Sequence, residues 1–185
     1  MRIVRLLLVL AVLAPLASVA RAADDWKGLH RRLHLPPASE TCPRSPTRQL
    51  GQGTFSHAAP VYLQNVGSAP VPGTIDISLW QVDDKGWRGQ KTPWIVPATY
   101  RGPVLIRGRR IDRPGVMRFA KGYGEHLDEL RFRTGESNGV RGRIQGLPGR
   151  YRLLASATLF RAPGCYAFQI DGAGFSSVIV VRVRG

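Results

Sequence analysis

Pro163-Gly164-Cys165-Tyr166-Ala167-Phe168-Gln169-Ile170, then Asp171-Gly172-Ala173-Gly174, then Phe175-Ser176-Ser177-Val178-Ile179-Val180-Val181-Arg182-Val183: the alternation in this stretch decides the fold. Successive side chains of an extended chain point to opposite faces, so Tyr166, Phe168 and Ile170 share one side. Asp171 to Gly174 carry turn chemistry, and the chain then runs back, which predicts an antiparallel hairpin. In the returning strand Ile179, Val181 and Val183 share one face while Val178 and Val180 occupy the other. Both faces are apolar, so this strand is expected to be internal or shielded.

Working back toward the N-terminus, the same period of two recurs. Ile75, Ile77 and Leu79 alternate with Asp76 and Ser78 over residues 74–82, and a parity shift at Leu79-Trp80 would suit a bulge. Shorter strands are expected at 61–63, 94–96, 104–111, 116–119, 130–133 and 151–160, separated by turns such as Asp83-Asp84-Lys85-Gly86. Residues 126–133 fit either a strand or one helical turn. A 3.6-residue period shows only in residues 23–35, where Trp26, Leu29 and Leu33 share a face behind a cap at Asp24 or Asp25, and Pro36-Pro37 ends it. No internal repeat or heptad interrupts the pattern. The expected fold is all-β: an immunoglobulin-like antiparallel sandwich of about seven strands, preceded by a short N-terminal arm or helix.

At the N-terminus Arg2 and Arg5 precede an apolar run over residues 6–16, and Ala20-Arg21-Ala22 has the small-x-small form of a signal-peptidase site. A membrane span needs roughly 20 apolar residues, and this run is shorter and broken by Pro15. The expected organisation is a cleaved signal peptide at 1–22, an arm and extended linker at 23–59, and a sandwich domain at 60–185. No later segment is long enough to span a membrane. The mature protein is therefore expected to be secreted, or otherwise extracytoplasmic.

Cys42 and Cys165 are the two cysteines. Outside the cytoplasm an even pair is most simply a disulfide, the alternative being two buried thiols. A bridge closing so long a loop contributes about 4 to 5 kcal/mol in the chain-entropy account.

The formal net charge is +15, and 23 of the 27 basic residues are arginine. Loss of residues 1–22 would remove three of these charges, Arg2, Arg5 and Arg21. The remainder would serve either as an attractive surface for wall polymers, lipid head groups or nucleic acid, or as a general arginine bias on a solvated surface. Scatter from Arg31 to Arg184 with no helix-long run favours the second.

The residues Pro163-Gly164-Cys165-Tyr166, Gln169, Asp171-Gly172, Phe175-Ser176 and Val178-Ile179-Val180 resemble the closing hairpin of immunoglobulin-like domains in exported bacterial proteins. With Trp26, Leu33, Leu35-Pro36, Cys42-Pro43 and Gly102-Pro103-Val104 through Arg109 added, the chain looks like a set of small secreted bacterial proteins that are themselves uncharacterised. That resemblance implies a sandwich and a disulfide joining Cys42 to Cys165. It brings no activity with it.

Catalytic and metal patterns are weak. Gly135-Glu136-Ser137-Asn138-Gly139 matches G-x-S-x-G, but no histidine follows His126 and the next residues are rich in Gly and Pro, so an ordinary polar turn is expected. His30 and His34 have helical spacing, yet Arg31 and Arg32 stand between them and a third ligand is missing. Copper chemistry needs His and usually Met after the cysteine, and neither follows Cys165. Gly89-Gln90-Lys91-Thr92 ends like a phosphate loop without its leading glycine. Glu125, Asp128 and Glu129 read as a solvated acidic turn rather than a hydrolytic pair. Trp80, Trp87, Trp94 and Tyr100, beside Arg88, Lys91 and Arg101, are expected in the core rather than on a stacking surface.

The expectation is a non-enzymatic binding or structural module with no cofactor or metal. Its candidate anion-binding surface is Arg107, Arg109 and Arg110, the densest basic cluster. The expected partner is an anionic cell-envelope polymer or another protein; nucleic acid is not expected, because export separates the chain from it. A small extracellular hydrolase with a non-standard site is the alternative, and an inhibitor with a rigid exposed loop is a third.

Overall fold

The computed structural model describes residues 24, 26–37, 41–65, 71–138 and 142–185, so the segment expected to be a signal peptide lies outside them. One helical turn, α1 (Trp26–Leu29), precedes thirteen strands among the described residues. In chain order they are β1 (Thr47–Leu50), β2 (Gly53–Ala58), β3 (Val61–Gln64), β4 (Thr74–Asp76), β5 (Arg88–Lys91), β6 (Trp94–Pro97) and β7 (Val104–Arg110). Then follow β8 (Arg118–Ala120), β9 (Glu129–Phe132), β10 (Tyr151–Leu154), β11 (Ala157–Phe160), β12 (Gly164–Gly172) and β13 (Phe175–Arg184). They form two five-stranded sheets, β1-β2-β3-β6-β10 and β4-β13-β12-β7-β9, and a short sheet β5-β11-β8. All pairings are antiparallel except β4 with β13.

The all-β sandwich expected from the alternation is present, and the closing hairpin pairs over its whole length, Gly164 with Val183 through Gly172 with Phe175. All three sheets supply the central core. Val61 and Leu63 come from β3, Trp94 and Val96 from β6, Phe119 from β8, and Phe160 from β11, to meet Tyr166, Phe168 and Ile170 of β12. Trp94 meets Phe168 edge-on with ring centroids 5.3 Å apart, and Phe160 meets Tyr166 at 4.7 Å, arrangements favoured by the ring quadrupoles. The Tyr166 hydroxyl, too polar to be buried alone, donates to the Ala162 carbonyl at 2.8 Å. Trp80, Trp87 and Trp94 are buried, as their expected packing role requires.

The strands exceed the expected seven because long ones are broken. Residues 151–160 read as one strand, but the chain changes sheet between β10 and β11, and its partner does the same between β5 and β6. Pro93 carries no N–H for the ladder at that step. Ser156 satisfies the break: its hydroxyl accepts from Trp94 Nε1 at 3.1 Å and its carbonyl accepts from the Thr92 amide at 2.9 Å.

Three other expectations are corrected. Residues 47–58 were placed in an extended linker ending at 59; they form the β1–β2 hairpin, turned at Gly51 with φ of 56°, and belong to the sandwich. Its anchors, Leu50 and Phe55, pack with Ile95 and Tyr151 on the far side of the sheet. The strand expected over 74–82 stops at Asp76, whose carboxylate turns back to accept from the amide and hydroxyl of Ser78, so no bulge forms. The helix suggested for 23–35 ends after Leu29 because the following backbone bonds to the sheet instead. Residues 126–133 take the strand option, as β9.

Candidate functional site

The outward face of β12 carries Cys165, Ala167, Gln169 and Asp171, all buried, because residues 30–37 and Cys42 lie across it. Gln169 holds this arm by its amide: Oε1 accepts from the His34 N–H at 2.7 Å and Nε2 donates to the Arg32 carbonyl at 3.1 Å. Asp171 is fully buried and accepts from Arg107 Nη2 at 2.9 Å and from the Ser176 hydroxyl, with Arg31 Nη1 at 3.7 Å. Arg31 itself donates to the carbonyls of Gly172 and Phe175 at the hairpin turn. At the other end the arm is tied by the Cys42–Cys165 disulfide, which spans 123 residues of sequence.

The three arginines expected to form one anion surface are therefore not equivalent. Arg107 and Arg109 share a face of β7, whereas Arg110 has the opposite parity. Arg107 is committed to Asp171 and to the Arg31 carbonyl. Arg110 is nearly buried: Nε and Nη2 form a forked pair with Asp112 at 2.7 and 3.1 Å, and Nη2 also reaches the Pro163 carbonyl. This guanidinium holds the Asp112 carboxyl down to about 2, from 3.8. Only Arg109 is exposed, and its side chain makes no hydrogen bond or ion pair among the described residues.

Arg109 does not stand alone. The arm at Leu35-Pro36-Pro37 and the loop following β7 enclose an open cleft of about 400 Å³, into which Arg109, Arg110 and Arg113 face. Arg113 is exposed and, like Arg109, has no ion pair among the described residues. Two guanidinium groups available to a ligand thus flank a third that is fixed, against an apolar wall of proline rings. Guanidinium forks recognise carboxylate or phosphate through paired N–H bonds, and Asp112, the adjacent acid, is already engaged. Arg113 was missed in the sequence because Ile111 and Asp112 separate it from the basic cluster. The loop places it back beside Arg109.

Other sequence candidates lie apart. Ser137 is in a loop. His30 pairs with Glu129 at 3.1 Å, while His34 contributes its backbone to Gln169. Glu125 caps the amides of Lys121 and Gly122, and Asp128 pairs with Arg118, so the three acids serve separate partners. His126 bonds Asp83 at 2.7 Å, but its other ring nitrogen faces Lys85 at 3.3 Å rather than a hydroxyl or thiol.

Fold and site together define an all-β sandwich with a covalently anchored arm and an arginine-lined cleft beneath the arm's end. Compared with protein-family models, with curated proteins and with solved structures, the chain gives no match.

Proposed function

We propose that the protein is an exported, non-enzymatic binding module of immunoglobulin-like type, which holds an anionic cell-envelope polymer through the cleft of Arg109 and Arg113. The observation that carries this reading is the pair of uncommitted guanidinium groups on one side of a cleft whose third arginine is clamped. Repeating negative charge on a polymer suits such a surface, since each added contact needs no deep pocket. Support for the immunoglobulin-like type comes from the Tyr166 hydroxyl bonding back four residues at the corner before β12, and from the hairpin that β12 begins. Support for export comes from the disulfide and from the leader-like N-terminus. No helix among the described residues is long and apolar enough to cross a membrane.

The test is retention of the purified protein on an immobilised acidic polymer as salt is raised. Retention at low salt and release by about 0.15 M are expected, because exposed charge pairs are screened over roughly 8 Å there. The double variant Arg109→Ala, Arg113→Ala should elute clearly earlier than a control lacking two arginines elsewhere, such as Arg88→Ala, Arg133→Ala. Equal elution of the two variants, or retention indifferent to salt, would reject the cleft as the site.

A further inference from the structure

The cleft at Arg109 and Arg113 has two separately held walls, and one residue, Cys165, is bonded to both. The arm wall, Leu35-Pro36-Pro37, packs through Leu35 on a cluster of Ile111, Cys165, Ala167 and Val180. Just before this wall the arm is held by hydrogen bonds: Gln169 takes the His34 amide and the Arg32 carbonyl, and Arg107 takes the Arg31 carbonyl. Beyond it in the chain the tie is the Cys42–Cys165 disulfide, after which Ser45 bonds the backbone of Val180. The proline wall therefore has a hydrogen-bonded tie on one side and a covalent tie on the other.

The opposite wall is attached to the same cysteine through its backbone. The Ile111 amide donates to the Cys165 carbonyl at 2.8 Å, and the Cys165 amide donates to the carboxylate of Asp112, the group that clamps Arg110. Neither bond involves sulfur. Opening the disulfide would thus leave Arg110, Ile111 and Asp112 bonded as they are and free the proline wall at its Cys42 end.

We propose that the Cys42–Cys165 disulfide is a redox gate on the cleft, which holds its anionic polymer while the bridge is closed and lets it go when a dithiol opens the bridge; the gate rests on the cleft being the polymer site. Cys42 is partly exposed and Cys165 is 1 % exposed, so a thiolate of the dithiol attacks the Cys42 sulfur, the S–S bond breaks and Cys165 leaves as a thiolate. The second thiolate of the dithiol then displaces Cys42. Two electrons pass to the protein, whose two thiolates take up two protons, and the dithiol ends as a cyclic disulfide. Without the covalent tie the wall must be ordered at the moment of binding, and that entropy is subtracted from the affinity. By linkage, polymer in the cleft makes the bridge harder to reduce by the same factor. Polymer binding is thereby confined to compartments that keep the bridge closed.

The experiment is fluorescence anisotropy of labelled polyglutamate at low salt, with the oxidised protein, the protein reduced by dithiothreitol, and the Cys42→Ser, Cys165→Ser variant. The Arg109→Ala, Arg113→Ala protein is measured in both redox states. Reduction and the cysteine variant are each expected to weaken binding about tenfold, to the level of the arginine variant, which reduction leaves unchanged. Polyglutamate should also move the bridge's midpoint in dithiol buffers about 30 mV more negative, the same tenfold in a two-electron couple. Parent binding that stays tighter than the arginine variant's and ignores reduction overturns the gate and leaves the cleft standing. Equal binding by the oxidised parent and the arginine variant overturns the cleft, and the gate with it. Reduction that weakens both proteins alike overturns the gate as well. Near-ultraviolet circular dichroism reports whether the reduced chain keeps its fold. If it does not, Pro36→Gly, Pro37→Gly with the bridge closed decides: binding weakened toward the arginine variant upholds the gate, and parent-like binding overturns it.

Discussion

Arg110 shows how closely a single side chain is fitted. Its stem and guanidinium pass between two glycines: a Cβ built on Gly164 would lie 2.6 Å from Arg110 Nε, and one on Gly115 would lie 2.9 Å from its Cδ. Gly164→Ala must therefore displace the guanidinium that forms the fork to Asp112, and a loss of about 1 to 3 kcal/mol is expected in denaturant unfolding. Asp112 gives the matching pH prediction. Its carboxyl is depressed from 3.8 to about 2 in the folded chain, chiefly by the Arg110 hydrogen bonds, so its contribution is complete above pH 3.8 and disappears as pH falls toward 2. Asp112→Asn should lose roughly 2 kcal/mol at neutral pH and show a shallower decline between about pH 4 and pH 2 than the parent. Parallel acid limbs for the two proteins would refute the pair's role. The basic run from Arg107 to Arg110 looked solvated in the sequence because charge density was visible and partners were not. Strand parity already sets Arg110 against its neighbours, but Asp171, the partner of Arg107, is 64 residues away along the chain.

The arm is the element whose behaviour depends most on a few polar groups. Asp171 is fully buried with Arg107 beside it and Arg31 near, so Asp171→Asn leaves two cations facing an uncharged amide. A cost of about 3 to 5 kcal/mol is expected, the range for breaking one side of a buried pair. Replacing both cysteines by serine should cost about 4 to 5 kcal/mol in the chain-entropy account. It should also speed hydrogen exchange at the His34 amide, which is bonded to Gln169, well before it speeds exchange in β12 or β13. Equal acceleration in all three would mean that the arm and the hairpin open together. The hairpin was legible because nine consecutive register pairs repeat one alternation. The arm was legible only in part: Trp26, Leu29 and Leu33 have helical spacing, but bonds from Gln169 and Arg107 to the backbone at 31–34 outweigh a helix of so few turns. The two apolar faces of β13 did announce a cover, and Leu35 and Cys42 beside Val178 and Val180 provide it.

Charge acts on the molecule as a whole. Twelve acids stand against 27 lysines and arginines, so even complete pairing would leave the chain with a formal +15. Some of the strongest pairs, Arg110 with Asp112 and Arg107 with Asp171, are shielded from water, and ions screen shielded pairs little. Arg109 and Arg113, which have no ion pair among the described residues, are on the surface, where ions screen such charges well and where mutual repulsion opposes the compact state. Added salt should therefore relieve more repulsion than it removes attraction. The thermal midpoint is expected to rise between about 10 mM and 150 mM sodium chloride, and to rise further at equal ionic strength in sulfate, which also strengthens apolar burial. A midpoint that falls as chloride is added would show that exposed ion pairs, rather than excess positive charge, govern the stability of this fold.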